Sequence, residues 1–309
     1  MTFSENLTEF VGKPVTDWSL GVEISDPAGT AYRIGVTWED GEEGLTWTDR
    51  FAAFLDAPGS ERVSSLIVGA WDGMTEQTGT TAPVVEALVA AHDRLPRLAA
   101  LFLGDVTYEE CEVSWLQQSD VSALFSAFPR LEHFAVRGGS GLSLGQIRHD
   151  QLRSLIVQSG GLPAGVVREV GAADLPALEH LELWLGDDGY GGDSTADDLD
   201  LILSGDRFPR LHYLGLRDSH IADQVAAAVA RSPLLRRIKS LDLSMGTLGD
   251  DGAGALLGSP AVARLEKLDI HHHYCSPEVV ARLEALGIPL DASEREPEEE
   301  HGRYVAVGE

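Results

Sequence analysis

The stretch FPRLHYLGLR at residues 208–217 nearly repeats an earlier stretch, FPRLEHFAVR at residues 128–137. Both begin with Phe-Pro-Arg-Leu, and both place apolar residues three and five positions after that Leu. Outward from these two, the pattern L-x-x-L-x-L, with other apolar residues in place of Leu, occurs in eight copies. The copies begin at Val63, Leu98, Leu131, Leu152, Leu178, Leu211, Ile238 and Leu265. A fainter ninth copy precedes them at Ala31, Ile34 and Val36.

The spacing of the copies predicts the fold. Successive copies begin 21 to 35 residues apart, and the last two intervals are both 27 residues. The last two apolar positions of each copy are two residues apart, so in a strand they point to the same face. Segments with helical spacing, such as 221–230, lie between the copies. A strand–helix unit repeated at this period is the leucine-rich-repeat signature, and stacked units bury one continuous core.

We therefore predict an α/β leucine-rich-repeat solenoid, or horseshoe, with a parallel sheet on the concave face, helices on the convex face and caps at the ends. Strands are expected near residues 66, 101, 134, 155, 181, 214, 241 and 268, paired in sequence order. A doubly wound sheet is the alternative, because alternation of strands and helices alone does not exclude it.

Composition narrows the class of partner. The net charge is −27 and Lys occurs only at positions 13, 239 and 267, so the surface repels nucleic-acid phosphates and anionic membranes. No apolar run approaches the ~20 residues of a membrane span. The stretch MTFSENLTEFVG lacks the features of a signal peptide. Cys111 and Cys275 lie far apart in the repeat order, which favours reduced thiols. We expect a cytoplasmic protein with a protein partner and no nucleic-acid or membrane partner.

The ends of the chain differ from its middle. We predict an N-terminal cap over 1–60, a solenoid of about eight repeats over 61–290, and an acidic linker with a C-terminal segment over 291–309, all within a single domain. The acidic run DASEREPEEEH at 291–301 is typical of mobile chain. RYVAVGE at 303–309 is β-prone. We therefore expect residues 303–307 to dock and to cover the open edge of the sheet, while most of 292–301 stays mobile.

Function is expected on the concave face, where the non-consensus strand residues lie. Aromatic, charged and imidazole side chains are concentrated towards its C-terminal half, and Trp, Tyr and Arg are enriched in binding hot spots. The predicted partner-binding residues are Phe102, Arg137, Glu182, Trp184, Tyr213, Arg217, Asp242, Asp269 and His271. The register points Trp184 away from the core, so we expect it to be partly exposed. An alternative is that the charged neighbours simply pair with one another on a solvated face.

The sequence HHHY at 271–274 raises the question of a metal site. In a strand, Asp269, His271 and His273 share one side, and Asp242 lies on the adjacent strand, which would form a His/carboxylate set. The interpretation that we favour is a polar turn at the rim of the sheet. We therefore predict no metal and no cofactor. The sequence has no P-loop. Cys111 lies among Glu109, Glu110 and Glu112, which disfavours a thiolate.

We therefore predict no catalytic residue and no enzymatic activity. The alternative is a small-ligand or metal-dependent enzyme that uses the His/Asp-rich C-terminal end of the sheet.

Several blocks resemble known proteins. The repeats are similar to those of the ribonuclease-inhibitor-like leucine-rich-repeat superfamily. LFLGDVTYEECEVSWLQQSDVSALF (101–125), LELWLGDDGYGGD (181–193), LDLSMGTLGDDGAGALL (241–257), LDIHHHY (268–274) and RYVAVGE resemble an uncharacterised actinobacterial leucine-rich-repeat family. That resemblance implies a bacterial scaffold encoded beside radical-SAM-like and ATP-grasp-like modification enzymes. The chain departs from many leucine-rich repeats in lacking the Asn ladder, since its one Asn is Asn6. Glycine at several of those positions predicts positive φ or close backbone packing.

Overall fold

The computed structural model describes residues 4–74, 79–298 and 302–308. Within these ranges, twelve strands form one sheet whose strand order follows the chain. The strands are β1 (Glu9–Phe10), β2 (Lys13–Asp17), β3 (Ala31–Ile34), β4 (Ser65–Val68), β5 (Ala100–Leu103), β6 (His133–Arg137), β7 (Ser154–Gln158), β8 (His180–Gly186), β9 (Tyr213–Ser219), β10 (Ser240–Asp242), β11 (Lys267–Asp269) and β12 (Leu290–Asp291).

The strand pairing confirms the predicted order. β1 and β2 form an antiparallel hairpin, and every later neighbouring pair is parallel. Leu214 in β9 aligns with Leu181 in β8 and with Leu241 in β10. A doubly wound sheet reverses its strand order at a switch point, so that alternative is excluded. The protein is a leucine-rich-repeat solenoid.

Helices connect the strands on the convex side. They are α1 (Trp38–Glu42), α2 (Trp47–Asp56), α3 (Ala82–Ala90), α4 (Ser122–Ala127), α5 (Ala164–Ala172), α6 (Asp200–Leu203), α7 (Ala222–Arg231), α8 (Asp250–Leu257) and α9 (Pro277–Glu284). In α7, the buried residues Ala222, Val225, Ala226 and Val229 form one stripe at helical spacing against the core. No helix in the described part of the chain is long and apolar enough to cross a membrane.

The repeated apolar positions form the core. Leu211, Leu214 and Leu216 are at most 1% exposed, and the equivalent residues of the neighbouring repeats are buried in the same cluster. Each such side chain contributes about 1.5–3 kcal/mol of transfer free energy when it is removed from water. The core is therefore continuous along the solenoid, and each repeat depends on its neighbours for burial.

The sheet begins earlier than the eight strong copies. β3 pairs with β4 so that Tyr32 aligns with Leu66 and Ile34 with Val68. The predicted ninth copy exists, but its register, read from Ala31, Ile34 and Val36, is wrong by two residues. Tyr32 fills the core position, with its hydroxyl accepting a hydrogen bond from the Asp26 N–H, and Ala31 faces the concave side. The boundaries after residues 60 and 290 stay predictions.

Glycines allow close backbone contact where many repeat proteins have an Asn ladder. Gly186 has a φ of +70°, and an added Cβ there would collide with the Gly160 carbonyl group. A Cβ at Gly160 would lie 2.8 Å from the Gly308 carbonyl oxygen. The missing side chains therefore leave room for backbone, including that of the C-terminal segment.

Candidate functional site

The concave face has the residue rows that the sequence predicts. Phe102 aligns with Ala135, Ile156 with Glu182, and Asp242 with Asp269. In the next row Trp184 aligns with Arg217. The nine predicted binding residues therefore belong to one face of one sheet. They do not form one surface, because the two ends of the chain return to this face and cover part of it.

The N-terminal hairpin closes the amino-terminal half of the concave face. Ala31, Ile67, Phe102 and Ala135 form a buried apolar cluster there, and Leu7, Phe10, Val15 and Ile156 pack against it. The ring centroids of Phe10 and Phe102 are 6.0 Å apart. Phe102 is consequently only 2% exposed. This half of the sheet faces the chain's own hairpin.

Asp105 anchors the hairpin. Its buried carboxylate accepts hydrogen bonds from the Leu7 N–H and from Arg33 Nη1 at 2.8 Å, and its backbone oxygen accepts one from Asn6. Arg137 Nη1 lies 3.7 Å from the same carboxylate and donates to the Val106 carbonyl. Arg137 is 3% exposed, and its burial lowers the pKa of the guanidinium to about 10. Arg137 therefore makes its contacts inside the protein.

The C-terminal half of the face contains a charged network. Glu182 accepts hydrogen bonds from Trp184 Nε1 at 2.6 Å and from Arg217 Nη1 at 3.0 Å. Asp242 accepts one from the Tyr213 hydroxyl at 2.8 Å and lies 3.4 Å from Arg217 Nε. The charged neighbours do pair with one another, as the alternative interpretation predicts. The pairs are largely buried, however, and do not lie on a solvated face.

The network shifts two pKa values in opposite directions. Burial alone would raise the pKa of Glu182, but the nearby His180, whose Nε2 lies 3.5 Å from the carboxylate, the charge of Arg217 and the hydrogen bond from Trp184 lower it to about 2. Burial raises the pKa of the Tyr213 hydroxyl, and the neighbouring carboxylates raise it further. At neutral pH Glu182 is therefore ionised and Tyr213 is protonated.

The prediction that Trp184 is partly exposed is wrong. Trp184 is 4% exposed and packs in a small cluster with Val113, Met245 and Val307. The register does point it away from the core, but the segment after β5 and the C-terminal segment both cover it. Arg217 adds a cation–π contact, with its Cζ 5.2 Å from the indole ring. Contacts more than 60 residues away in sequence thus decide the exposure of this side chain.

The C-terminal segment, residues 302–308, lies across the carboxyl ends of the strands, and we call it the strap. Its Ala306 N–H donates to the Met245 carbonyl, its Val307 N–H donates to Asp218 Oδ1, and Ser114 Oγ donates to the Gly308 carbonyl. The prediction that 303–307 dock is confirmed. Its expected place is wrong, because the strap crosses the strand ends instead of covering the terminal strand edge.

Left-handed turns provide the surface for the strap. Asp218, Met245 and His272 occupy equivalent positions 27 residues apart, and their φ angles are +51°, +68° and +54°. Two of the three, Asp218 and Met245, bond the strap directly. Burial raises the pKa of Asp218 well above its usual range. The sequence carries no sign of these turns, since none of the three residues is Gly.

Most of 292–301 was predicted to be mobile, but hydrogen bonds hold residues 292–296 against the end of the sheet. The His272 N–H donates to the Ser293 carbonyl, the Glu296 N–H donates to the His273 carbonyl, and Arg295 Nε donates to the Cys275 carbonyl. The backbone of this stretch extends the last strand pair. Residues 299–301 of the predicted mobile run lie outside the described residues.

The His-rich end departs from the predicted arrangement. Asp269 Oδ1 accepts a hydrogen bond from His271 Nδ1 at 2.7 Å, and Lys267 Nζ lies 2.8 Å from Asp269 Oδ2. His273 does not share their side. The left-handed backbone at His272 breaks the strand alternation, and His273 is fully buried, bonding the Ala292 carbonyl and the Cys275 N–H.

A different trio could hold a metal ion. One ligand atom each from Asp269, His271 and Asp291 lies within 4.8 Å of the others. The carboxylates are already engaged, Asp269 with Lys267 and Asp291 with Ser293. A cation there would compete with the Lys267 ammonium for the Asp269 carboxylate. Asp291 is the member that sequence reasoning missed, because β12 follows a shortened repeat.

The cysteines are poor nucleophiles. Burial raises the pKa of Cys111 to about 11, and Glu112 contributes in the same direction. Burial raises the pKa of Cys275 to about 12, with Asp250 and Asp223 contributing. Both are free thiols. At neutral pH neither side chain supplies the thiolate that covalent catalysis needs.

Between the hairpin and the strap, a strip of the concave face remains open. We call it the open strip: His180, Tyr213, Ser240 and Lys267 along the amino ends of β8 to β11, with Glu182, Asp242 and Asp269 behind them. The rings of His180 and Tyr213 stack at 3.9 Å with an interplanar angle of 4°. His180 was not among the predicted binding residues, although its position two residues before Glu182 places it on the same face.

The chain is similar to several solved structures. A protein from Bacteroides fragilis is 28% identical with a TM-score of 0.82, over 90% of this chain and 77% of that one. An internalin from Listeria monocytogenes is 13% identical with a TM-score of 0.40, over 87% of this chain and 79% of that one. TLR13, in its complex with ssRNA13, is 16% identical with a TM-score of 0.34, over 80% of this chain and 38% of that one. No family model matches the chain. No curated protein matches it.

Proposed function

We propose that the protein is a non-catalytic scaffold that binds a protein partner on the open strip of its concave face. The observation that carries this proposal is the stack of His180 on Tyr213, which presents aromatic surface at the centre of the sheet. The Tyr213 hydroxyl is fixed by Asp242, so the side chain loses little conformational freedom on binding. Tyrosines held in this way are common at the centre of interfaces.

The proposal keeps six of the nine predicted binding residues: Tyr213 lies in the open strip, and Glu182, Arg217, Asp242, Asp269 and His271 lie behind or beside it. Phe102, Arg137 and Trp184 are at most 4% exposed and act inside the protein. The three carboxylates lie behind the open strip, and the whole chain carries a net charge of −27. A partner with a basic surface therefore fits best.

The resemblance to an actinobacterial family supports the next step of the proposal. Modification enzymes of the radical-SAM-like and ATP-grasp-like classes are the first partners to test. The proposal places the protein in the cytoplasm, where thiols such as Cys111 and Cys275 stay reduced.

Site-specific photocrosslinking in the native host tests this function. A photoreactive amino acid at Ser240 samples the open strip, and the same group at Leu201, which is exposed on the convex helix α6, is the matched control. We expect one covalent adduct with a host protein from position 240 and none from position 201. Adding Tyr213→Ala should reduce the adduct several-fold. Equal labelling from both positions, or no protein adduct from position 240, would refute the proposal.

A metal-dependent enzyme is the second candidate, and the Asp269–His271–Asp291 trio is the observation that favours it. Metal analysis of untagged protein distinguishes the two functions. One tightly held metal ion per chain, lost in an Asp291→Asn variant, would favour this candidate over the scaffold.

A further inference from the structure

Exposed aromatic side chains are concentrated on one edge of the solenoid. We call this edge, formed by the segments that follow β3, β4, β5 and β8 together with the strap, the carboxyl edge. Among the described residues, the large aromatic side chains that are exposed are Trp38 at 67%, Tyr108 at 51%, Tyr304 at 49% and Trp115 at 46%. All four lie on the carboxyl edge. Exposed apolar side chains gathered along one edge are typical of an interaction surface.

The edge contains two grooves, one on each side of the segment after β5. The first has a volume of about 890 Å³, and its walls include Tyr108, Glu112, Asp187, Tyr190 and Tyr304. The second has a volume of about 620 Å³, and its walls include Trp38, Glu42, Asp72, Glu109 and Glu110. Volumes of this size accommodate several side chains of a bound peptide.

The charge of both grooves is negative. The sequence has no Lys or Arg in 35–49, 69–74 or 104–121, which contain all the residues that line the second groove, and Tyr108 and Glu112 of the first. Arg303 lies at one end of the first groove, but its guanidinium is held by Asp223 at 3.2 Å and by Glu298 at 3.3 Å. Aromatic rings beside carboxylates are a binding surface for a guanidinium group, which stacks on a ring while it bonds an anion.

The protein uses this chemistry for its own arginines. Arg217 lies over the Trp184 ring and bonds Glu182. Arg303 lies over the Tyr274 ring, with Cζ 5.7 Å from the centroid, and bonds Asp223. We propose that the carboxyl edge binds an extended, arginine-containing segment of a partner protein. This surface is separate from the open strip and does not depend on it.

A defined peptide tests the proposal on the full chain. The probe is a fluorescent octapeptide of alternating Arg and Gly, and fluorescence anisotropy measures its affinity. Tyr108→Ala and Trp115→Ala leave the net charge at its wild-type value, and we expect each to weaken binding about twofold to fivefold, the size of an exposed cation–π contact. Leu201→Ala on the convex face is the control and should leave the affinity unchanged.

Charge variants separate a specific site from general attraction to an acidic protein. Glu109→Gln with Glu110→Gln and Glu278→Gln with Glu284→Gln remove the same charge from the carboxyl edge and from helix α9. We expect the edge pair to weaken binding at least threefold and the helix pair to leave it unchanged. Equal weakening by the two pairs, an equal affinity for the Lys version of the peptide, or no binding would overturn the proposal.

Two further measurements complete the test. Tyr213→Ala removes the aromatic contact of the open strip, and we expect the affinity for the peptide to stay unchanged in this variant. The scaffold proposal can therefore fail while the peptide proposal holds, and the reverse. Light scattering reports self-association. A dimer that dissociates on Trp115→Ala would show that a second copy of the chain occupies the edge, which would overturn the proposed occupant. Unchanged melting curves by circular dichroism confirm that each variant is folded.

Discussion

The two halves of the concave sheet are covered in different ways. The amino-terminal half is apolar, and the hairpin β1–β2 lies directly over it through Phe10 and Leu7. The carboxyl-terminal half is charged, and the strap covers only its margin, where Val307 reaches Trp184. One half is therefore an extension of the core, and the other is a polar surface with one apolar corner.

This difference shows how a repeat protein adapts one face to two purposes. Burying Phe102 and Ile67 favours folding by the hydrophobic effect, which needs no specific partner geometry. Burying Glu182 and Asp242 costs desolvation energy and is tolerated only because Arg217, Tyr213 and Trp184 satisfy them. The apolar half contributes to stability, while the polar half maintains a fixed arrangement of donors and acceptors beside solvent.

The largest effect expected from this comparison is on the apolar half. Phe102→Ala should lower the free energy of unfolding by about 3–5 kcal/mol, because it leaves a cavity between the sheet and the hairpin. Urea denaturation of the full chain measures it. Trp38→Ala, at a residue 67% exposed, is the control and should cost below about 0.5 kcal/mol. A cost under 1 kcal/mol at Phe102 would show that the hairpin does not close this half.

The repeat pattern predicted the sheet because each copy has the same local rule. Leu181, Leu214 and Leu241 are aligned by burial alone, and a shift of one residue would expose all of them. The same rule failed at β3, where the copy was read from Ala31 and Ile34. Tyr32 satisfies the core position there, whereas all eight strong copies have a pure hydrocarbon side chain at that position.

The covering of the concave face could not be predicted from the repeat pattern. It depends on contacts between distant segments, such as Asn6 with Asp105 and Ser114 with Gly308. Periodicity reports which face a side chain points to, and it carries no information about what lies above that face. For this reason the register of Trp184 was right while its exposure was wrong.

Shortening a buried side chain of the strap is expected to have an intermediate effect on stability. Val307→Ala should lower the free energy of unfolding by about 1–2 kcal/mol, because the side chain is buried against Trp184 and Val113. Val305→Ala, two residues earlier and only partly buried, is the matched control and should cost less than half as much. Denaturant midpoints of the two variants measure the difference. Equal losses of unfolding free energy in the two variants would show that the strap does not bury Val307 specifically.

Removal of the strap should also expose Trp184. Deleting residues 303–309 is expected to make one more indole accessible to acrylamide, measured by fluorescence quenching. In a Trp184→Phe background the same deletion should add no accessible indole. An unchanged quenching profile in the wild-type background would contradict the covering role of the strap.

The smallest effect concerns the polar half at its C-terminal end. The hydrogen bond from His271 to Asp269 raises the pKa of His271, while burial opposes this shift. A raised folded-state pKa stabilises the protein fully below the ordinary value of about 6.5, and that contribution is lost as the pH rises through the folded-state pKa. Burial would raise the pKa of Asp269, but hydrogen bonds from His271 and Lys267 lower it, so its contribution is present above about pH 4 and is lost on acidification.

Both contributions are therefore complete between about pH 4 and pH 6.5. The stability difference between wild type and His271→Asn should be largest in that window and should fall by about 1 kcal/mol towards pH 9, the size of one partly exposed charge-assisted hydrogen bond. Urea denaturation across the pH range measures it. His212→Asn, at an exposed position, is the control with an expected flat difference, and a flat curve for His271→Asn as well would mean that Asp269 does not hold the charged imidazole. Asp269→Asn should then lower the pKa of His271 in an NMR titration, because removing that carboxylate leaves burial and Arg217 as the opposing influences.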